Sequence, residues 1–308
     1  MVLVVGATGL LGGEVVRRLS SRGERVRALV RATANPERLE SIRRAGAELV
    51  FGDLKDPATL VAACRGADAI IATASSTLSR QTGDNISSVD RDGYLRLIDA
   101  ATHAGVTRFV YTSIPPDVRA SPLTEAKARV GSKLMESSMS YTILAANFFM
   151  EVWLGPALGF DVHAGRVRIY GTGEKPIGFV SFKDVAEIAV RSLREERSQN
   201  RTLAVAGPAN IAPIEVVRKF ERAFGYPLAI EHVPEETLLQ QWHAAKDPLE
   251  KSFAAIMLEC AHGCPMDVRD TLALFQIPLT SIDDFVEAAS TENSQKPDPW
   301  EVRLERPC

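Results

Sequence analysis

Cysteine is scarce in this chain: four residues in 308, Cys64, Cys260, Cys264 and Cys308, unevenly spread. That excludes a disulfide-stapled framework and suits a reducing compartment. Charge of one sign is lacking too, since 36 Lys+Arg against 39 Asp+Glu leave a net charge of -3. No basic excess recruits nucleic acid or an anionic membrane, so neither is expected as a partner. No uninterrupted apolar run approaches the roughly 18 to 20 residues of a membrane span. The apolar start, Met1 to Val5, meets Gly6 far short of a signal-peptide core. A cytoplasmic, unprocessed chain is therefore expected. What remains is ample core material, with 45% of the residues apolar, enough for one large domain or two fused ones.

The first half alternates short β-branched runs with helical patterns, which predicts βαβ units and a parallel sheet covered on both faces. Strands are expected at Val2–Val5, Arg25–Val30, Glu48–Phe51, Ala67–Ala72, Thr107–Thr112 and Tyr141–Leu144. Helices are expected at Leu10–Ser21, Pro36–Arg44 with Asn35 as N-cap, Pro57–Cys64, Ser88–Ala104 and Leu123–Ser138. After Asn147 the rhythm breaks. Residues 148–178 read as irregular, with short strands around Val167–Tyr170; Ser181 to Asp184 resembles a capping box opening a helix, and Thr202–Ala206 reads as a strand. Residues 213–289 read as mostly helical, broken by prolines, and 290–308 as a loose polar tail. The expected fold class is α/β, a doubly wound parallel sheet of the Rossmann kind with a smaller, mainly helical C-terminal substrate lobe. The sheet domain takes 1–147 with a return over about 179–206; the lobe takes 148–178 and 207–289.

Gly6-Ala-Thr-Gly9-Leu-Leu-Gly12 falls where the first strand turns into the first helix. In that position the first glycine permits a tight turn, the second lets backbone approach a pyrophosphate, and the third lets helix and strand pack closely. Free N–H groups at the helix start then face the negative charge. A site for NAD usually ends its second strand on an acid that accepts from the ribose 2′-hydroxyl. Here that place holds Arg31, and no acid follows until Glu37. A guanidinium grips phosphate through a bidentate fork, so NADP(H) is expected over NAD(H). Asp53, after the third strand, reads either as an acceptor for the adenine amino group or as a loop residue making an Asx-turn.

These motifs, with the Gly52-Asp53-Leu54 turn, Val89-Asp90 at a helix start, Phe109 to Ser113 and Phe179 to Ala186, resemble the NmrA-like atypical short-chain dehydrogenases/reductases over roughly residues 1–290. The resemblance implies an extended Rossmann domain, NADP(H), and either a reductase or a regulator that binds the dinucleotide without turnover. It implies phosphate-loop roles for Gly6, Thr8, Gly9, Leu10, Leu11 and Gly12, a 2′-phosphate contact at Arg31, and an adenine-side turn at Asp53 and Leu54. It places Ala72, Thr73 and Ala74 beside the adenosine ribose, Ser113 and Lys127 at the nicotinamide, and Asn147 and Phe148 where the family closes over it.

One departure from the parent superfamily is chemical. The tyrosine expected four residues before the active-site lysine is Leu123 here. Proton donation then falls to Lys127 or to Tyr111, which by strand alternation shares a face with Ser113. Phe148, Phe149, Met150, Trp153, Leu154 and Phe160 cluster where open α/β sheets bind ligands, and read as an apolar substrate pocket or as core. Phe149, Trp153 and His163 are the candidate pocket residues, His163 reading also as a surface-loop residue. Cys260, His262 and Cys264 supply only three metal ligands, so no metal is expected. The function expected is an NADPH-dependent reductase acting on an apolar, electron-poor small molecule, as monomer or homodimer. The alternative is a non-catalytic NADP(H)-sensing regulator that signals through a protein partner.

Overall fold

The computed structural model describes residues 1–79 and 81–291. The strands are β1 (Val2–Val5), β2 (Val26–Val30), β3 (Glu48–Phe51), β4 (Ala69–Ala72), β5 (Arg108–Ser113), β6 (Ser140–Ala146), β7 (Phe160–Asp161), β8 (Arg166–Tyr170), β9 (Arg201–Val205) and β10 (Ala229–Val233). The helices are α1 (Leu10–Ser21), α2 (Pro36–Arg44), α3 (Pro57–Cys64), α4 (Tyr94–His103), α5 (Pro122–Met135), α6 (Met150–Trp153), α7 (Phe182–Ser192), α8 (Pro213–Phe224), α9 (Glu235–Ala244), α10 (Pro248–His262), α11 (Arg269–Phe275) and α12 (Ile282–Thr291). A seven-stranded sheet runs in the order β3-β2-β1-β4-β5-β6-β9, and the pairings from β3 across to β6 are parallel. This is the doubly wound fold that the βα alternation predicts. The order reverses at β1, whose neighbours are β2 and β4, which makes the carboxyl ends of β1 and β4 the switch point of the sheet.

The chain divides into two compact units. The first comprises residues 1–116, 122–145 and 185–203. Its central strands β1 and β4 are buried on both faces, as a sheet covered twice requires, and on one face Leu3, Val5, Ile70 and Phe109 are enclosed with Leu60, Leu97 and Ile98 from the helices. Helix starts are fixed by short polar side chains. Asn35 accepts from the N–H groups of Glu37 and Arg38, and Asp56 from that of Ala58. The helix expected from Ser88 begins instead at Ile86 and runs as a π-helical segment to Gly93 before tightening into α4. Asn85 and Ser88 close a reciprocal capping box there, within a run of polar residues that masks it in the sequence. A Cβ on Gly93 would lie 2.8 Å from Cβ of Leu54, so this wide turn packs onto the Leu54 loop only as glycine.

The second unit comprises, among the described residues, 117–121, 146–184 and 204–291. Phe148, Phe160, Tyr170, Val216, Phe220 and Leu258 form its core. It carries a three-stranded sheet in the order β10-β8-β7, with β10 parallel and β7 antiparallel to β8. Strand β10 corrects the helical reading of 213–289. Pro227 and Pro234 bracket six residues, too few for a helix, and the last five find their backbone partners on β8, more than sixty residues earlier. At the start of α7, Ser181 Oγ accepts from the Lys183 N–H as a cap does and donates to Glu151, while Asp184 accepts from the Thr280 N–H and hydroxyl. Residues 292–308, which include Cys308 and most of the expected tail, lie outside the described residues.

Candidate functional site

In the first unit, β1 delivers the chain to Gly6, whose φ of 87° only glycine adopts without strain. A Cβ there would sit 2.7 Å from Ala74 N and from Thr73 Oγ1; a Cβ on Gly12 would sit 2.1 Å from Gly6 O. The loop is thus drawn so tightly against α1 and the end of β4 that no side chain fits at either position. Gly9 is the N-cap of α1, no side chain caps the helix, and no acid occupies its first turn. No side chain of the loop therefore satisfies its leading N–H groups. Thr8 and Leu10 are half-buried and Leu11 is buried under the loop. Arg38, on α2, donates from Nη1 to the Thr8 carbonyl at 2.9 Å, adding a cation to the rim that sequence spacing did not single out.

Arg31 stands at the end of β2 as expected, but it already has an anion. Its Nη1 donates to Asp84 Oδ2, and Asp84 Oδ1 accepts from Lys55 Nζ, both at 2.5 Å. Ser79 donates to the same carboxylate. Burial raises the Asp84 carboxyl, but the hydrogen bonds from Lys55, Ser79 and Arg31 outweigh it and hold it below the ordinary 3.8. Asp53 makes an Asx-turn, Oδ1 accepting from the Lys55 N–H at 2.8 Å, and its other oxygen lies 3.7 Å from Lys55 Nζ. Leu54 is buried. Thr73 bonds to the Val5 carbonyl through both its N–H and its hydroxyl, which fixes the Ala72–Ala74 strand end beside the glycine loop.

Beyond β4 lies a buried polar cluster. Asp90, fully enclosed in the π-helical segment, accepts from Ser75 Oγ at 2.7 Å, from the Ser76 N–H at 3.0 Å and from Ser76 Oγ at 2.5 Å. Lys127 on α5 points its Nζ to 4.0 Å from Asp90 Oδ1 and 5.4 Å from the centre of the Tyr111 ring. Burial lowers the Lys127 ammonium, and the Asp90 charge opposes that shift. Asp90 was visible as a motif residue, yet nothing in its spacing announced its burial against a lysine thirty-seven residues away.

Two of the chemical candidates need correction. Tyr111 shares a face with Ser113, but that face is closed at Tyr111. The ring is 0% exposed, it packs 5.0 Å from Tyr94, and its hydroxyl is sealed from solvent without a hydrogen-bond partner. Burial and the Asp90 charge drive the phenol well above its ordinary pKa, so Tyr111 is a core residue and not a proton donor to a ligand. Ser113, at the end of β5, remains half-exposed. His163 lies exposed in the turn between β7 and β8, edge-on to Phe224 at 5.4 Å, and is a surface residue, not a pocket wall.

In the second unit, Asn147 is tied down by its N–H to the Val205 carbonyl and by Nδ2 to the Cys264 carbonyl. Phe148 meets Trp153 edge-to-face at 4.7 Å, and Trp153 meets Tyr170 at 6.2 Å, so this cluster serves as core. Phe149 and Trp153 are only half-buried and keep a free edge. Sequence reading missed one arrangement here. The Arg119 guanidinium and the Lys251 ammonium both lie over the Trp242 indole, at 5.4 and 5.3 Å, and the Arg119 N–H donates to Glu259. Arg119 Nε and Trp242 Nε1 are both buried without a hydrogen-bond partner. Cys260 is buried in this core, and His262 pairs with Glu235 at 2.6 Å. Among the described residues, no helix is long and apolar enough to cross a membrane.

A sequence profile of the NmrA-like family matches residues 1–273. The isoflavone reductase homolog IRL of Zea mays is 33% identical over 265 residues, spanning 80% of this chain and 82% of that protein. The photosystem II assembly factor Ycf39 of Synechocystis is 32% identical over 243 residues, spanning 76% of this chain and 70% of that one. Among solved structures, the Escherichia coli NADPH-dependent quinone oxidoreductase QOR2 complexed with NADPH superposes with a TM-score of 0.76 at 22% identity, covering 94% of this chain and 99% of that one. The Citrobacter triphenylmethane reductase complexed with NADP(H) gives 0.75 at 21%, covering 94% and 100%. At such identities the structural likeness speaks for the fold.

Proposed function

The chain belongs to the NmrA-like family, and on that footing we propose that it is a reductase whose bound NADPH supplies hydride to an electron-poor carbon of an apolar small molecule, such as a quinone, enone, dye cation or ether-type compound. The observation that carries the cofactor in this reading is the glycine loop. A Cβ at Gly6 or Gly12 would strike backbone, and α1 starts without a side-chain cap or an acid, so the residues present fit a pyrophosphate pressed against main chain. Arg31 and Lys55, brought together on the Asp84 carboxylate, supply donors suited to a 2′-phosphate. Relatives named as an isoflavone reductase homolog and as phenylcoumaran benzylic ether reductases support the reaction class.

The chain's own chemistry suits acceptors that need little proton assistance. Leu123 is buried where the tyrosine would stand, and Tyr111 is closed off. Lys127 is then the group left to hold ribose hydroxyls and to pass a proton, with Asp90 keeping its ammonium in place. Quinones, enones and dye cations spread or quench charge as hydride arrives, which matches such a site. The half-buried edges of Phe149 and Trp153 suit an apolar body.

A second reading is favoured by the relatives that are named as assembly factors: an NADP(H)-binding regulator acting through a protein partner. Titration of the purified protein with NADPH, followed by NADPH oxidation against a panel of quinones, enones, dyes and benzylic ethers, separates the two. Turnover of any acceptor supports the reductase. Tight binding without turnover across the panel overturns it in favour of the regulator, and absence of binding overturns both.

A further inference from the structure

Along the sequence, Arg31 has no acidic neighbour at the end of β2; the fold supplies one from fifty-three positions away. Arg31 leaves β2, Lys55 leaves the loop after β3, and Asp84 arrives from the segment after β4, one residue before the Asn85 cap. The Asp84 side chain is only 2% exposed, whereas Arg31 and Lys55 keep 33% and 28%. A guanidinium, an ammonium and the Ser79 hydroxyl therefore converge on one carboxylate. The same donor set would grip a phosphate monoester.

We infer that Asp84 is a selectivity-determining residue of the nucleotide site: an internal anion that gathers the donors meant for a 2′-phosphate and competes with that phosphate for them. The inference rests on the NADP(H) reading above. A 2′-phosphate brings nearly two negative charges to cations already balanced by Asp84 and, at 3.7 Å from Lys55, by Asp53. It must displace Asp84 or lie beside it, and either weakens NADP(H). A ribose 2′-hydroxyl leaves the Arg31–Asp84–Lys55 cluster intact, so NAD(H) is not penalised. Asp84 thereby narrows a preference that Arg31 alone would make steep.

The test is calorimetric titration of wild type, Asp84→Asn, Lys55→Met and Arg31→Ala with NADP⁺, NAD⁺, adenosine 2′,5′-bisphosphate and 5′-AMP, with the melting temperature of each variant as a check on folding. Removing one charge within a few ångströms of the phosphate is expected to tighten Asp84→Asn for NADP⁺ and the bisphosphate by about ten-fold. NAD⁺ and AMP should move by less than about two-fold. Lys55→Met should weaken only the two 2′-phosphorylated ligands. The inference is overturned if Asp84→Asn binds NADP⁺ no better than wild type, or if both dinucleotides shift equally. Should Asp84→Asn not fold, an equal loss of NADP⁺ and NAD⁺ in Lys55→Met overturns it. Wild type that binds neither dinucleotide overturns the cofactor reading and this inference with it; wild type that binds NADP⁺ leaves the Asp84 outcome to decide alone.

Discussion

A carboxylate with no solvent at all, such as Asp90, survives only because its partners replace water. Two serine hydroxyls, one backbone N–H and the Lys127 ammonium do so here. Taking the carboxylate away strands them. Asp90→Ala should destabilise the protein by about 3–5 kcal/mol, the range for breaking a buried ion pair, in urea denaturation. Asp90→Ala combined with Lys127→Met should cost less than the sum of the single changes. Strict additivity would show that the pair is not coupled. Strand alternation correctly put Tyr111 and Ser113 on one face, but a period of two says nothing about where along that face the solvent ends. The glycine loop was legible because its requirements are local: a positive φ at Gly6 and no room for Cβ at Gly12.

Between elements, α1 and α7 are joined by one acid. Glu187 on α7 accepts from Arg18 on α1, from Arg22 just beyond it and from Arg191 one turn along α7. Burial raises the Glu187 carboxyl, but the hydrogen bonds from Arg191, Arg22 and Arg18 prevail and bring it from 4.5 to about 2. A depressed folded-state pKa stabilises fully above the unfolded value and is lost as pH falls through the folded one. The contribution is therefore present above about pH 4.5 and disappears toward pH 2. With the solvent screening of a partly exposed network, Glu187→Gln should cost about 1 kcal/mol near neutrality. The gap in melting temperature between wild type and variant should close as pH falls from 5 toward 2; a gap independent of pH would remove the charge as its cause. Arg17 and Arg18 lie off the apolar face of α1, where Leu11, Val15, Val16 and Leu19 are buried, and helical periodicity along α1 is enough to show that. It gave no sign that α7, more than 160 residues on, carries their acid. The π-helical turn at Ile86–Gly93 was hidden in the same way, because its apolar spacing overlaps that of an α-helix.

Across the molecule, the strand order places the glycine loop and the Thr73 strand end side by side at the switch point, although 67 positions separate Gly6 from Thr73. A ligand seated there binds only the folded chain and stabilises it by mass action. NADP⁺ at a hundred times its dissociation constant should add about 2.7 kcal/mol and raise the melting temperature by roughly 4 °C for a chain of this size. Scanning calorimetry checks this, and NADP⁺ that leaves the transition unmoved contradicts a site at the switch point. The second unit was the least legible part. Its three-stranded sheet depends on β10 finding β8 across α7, β9 and α8, and a five-residue strand between prolines carries almost no periodicity of its own.

Sequence alone determined the βα rhythm, the bounds of most first-half elements and the glycine loop, because helix caps, two-residue alternation and glycine's missing side chain act within a few positions of themselves. It also set an arginine where an acid was expected. Only the tertiary structure decided what surrounds that arginine, which tyrosine is sealed and which lysine faces a buried acid. Charges interact through space, and the chain brings Asp84 to Arg31 and Asp90 to Lys127 only when the sheet has closed its crossovers.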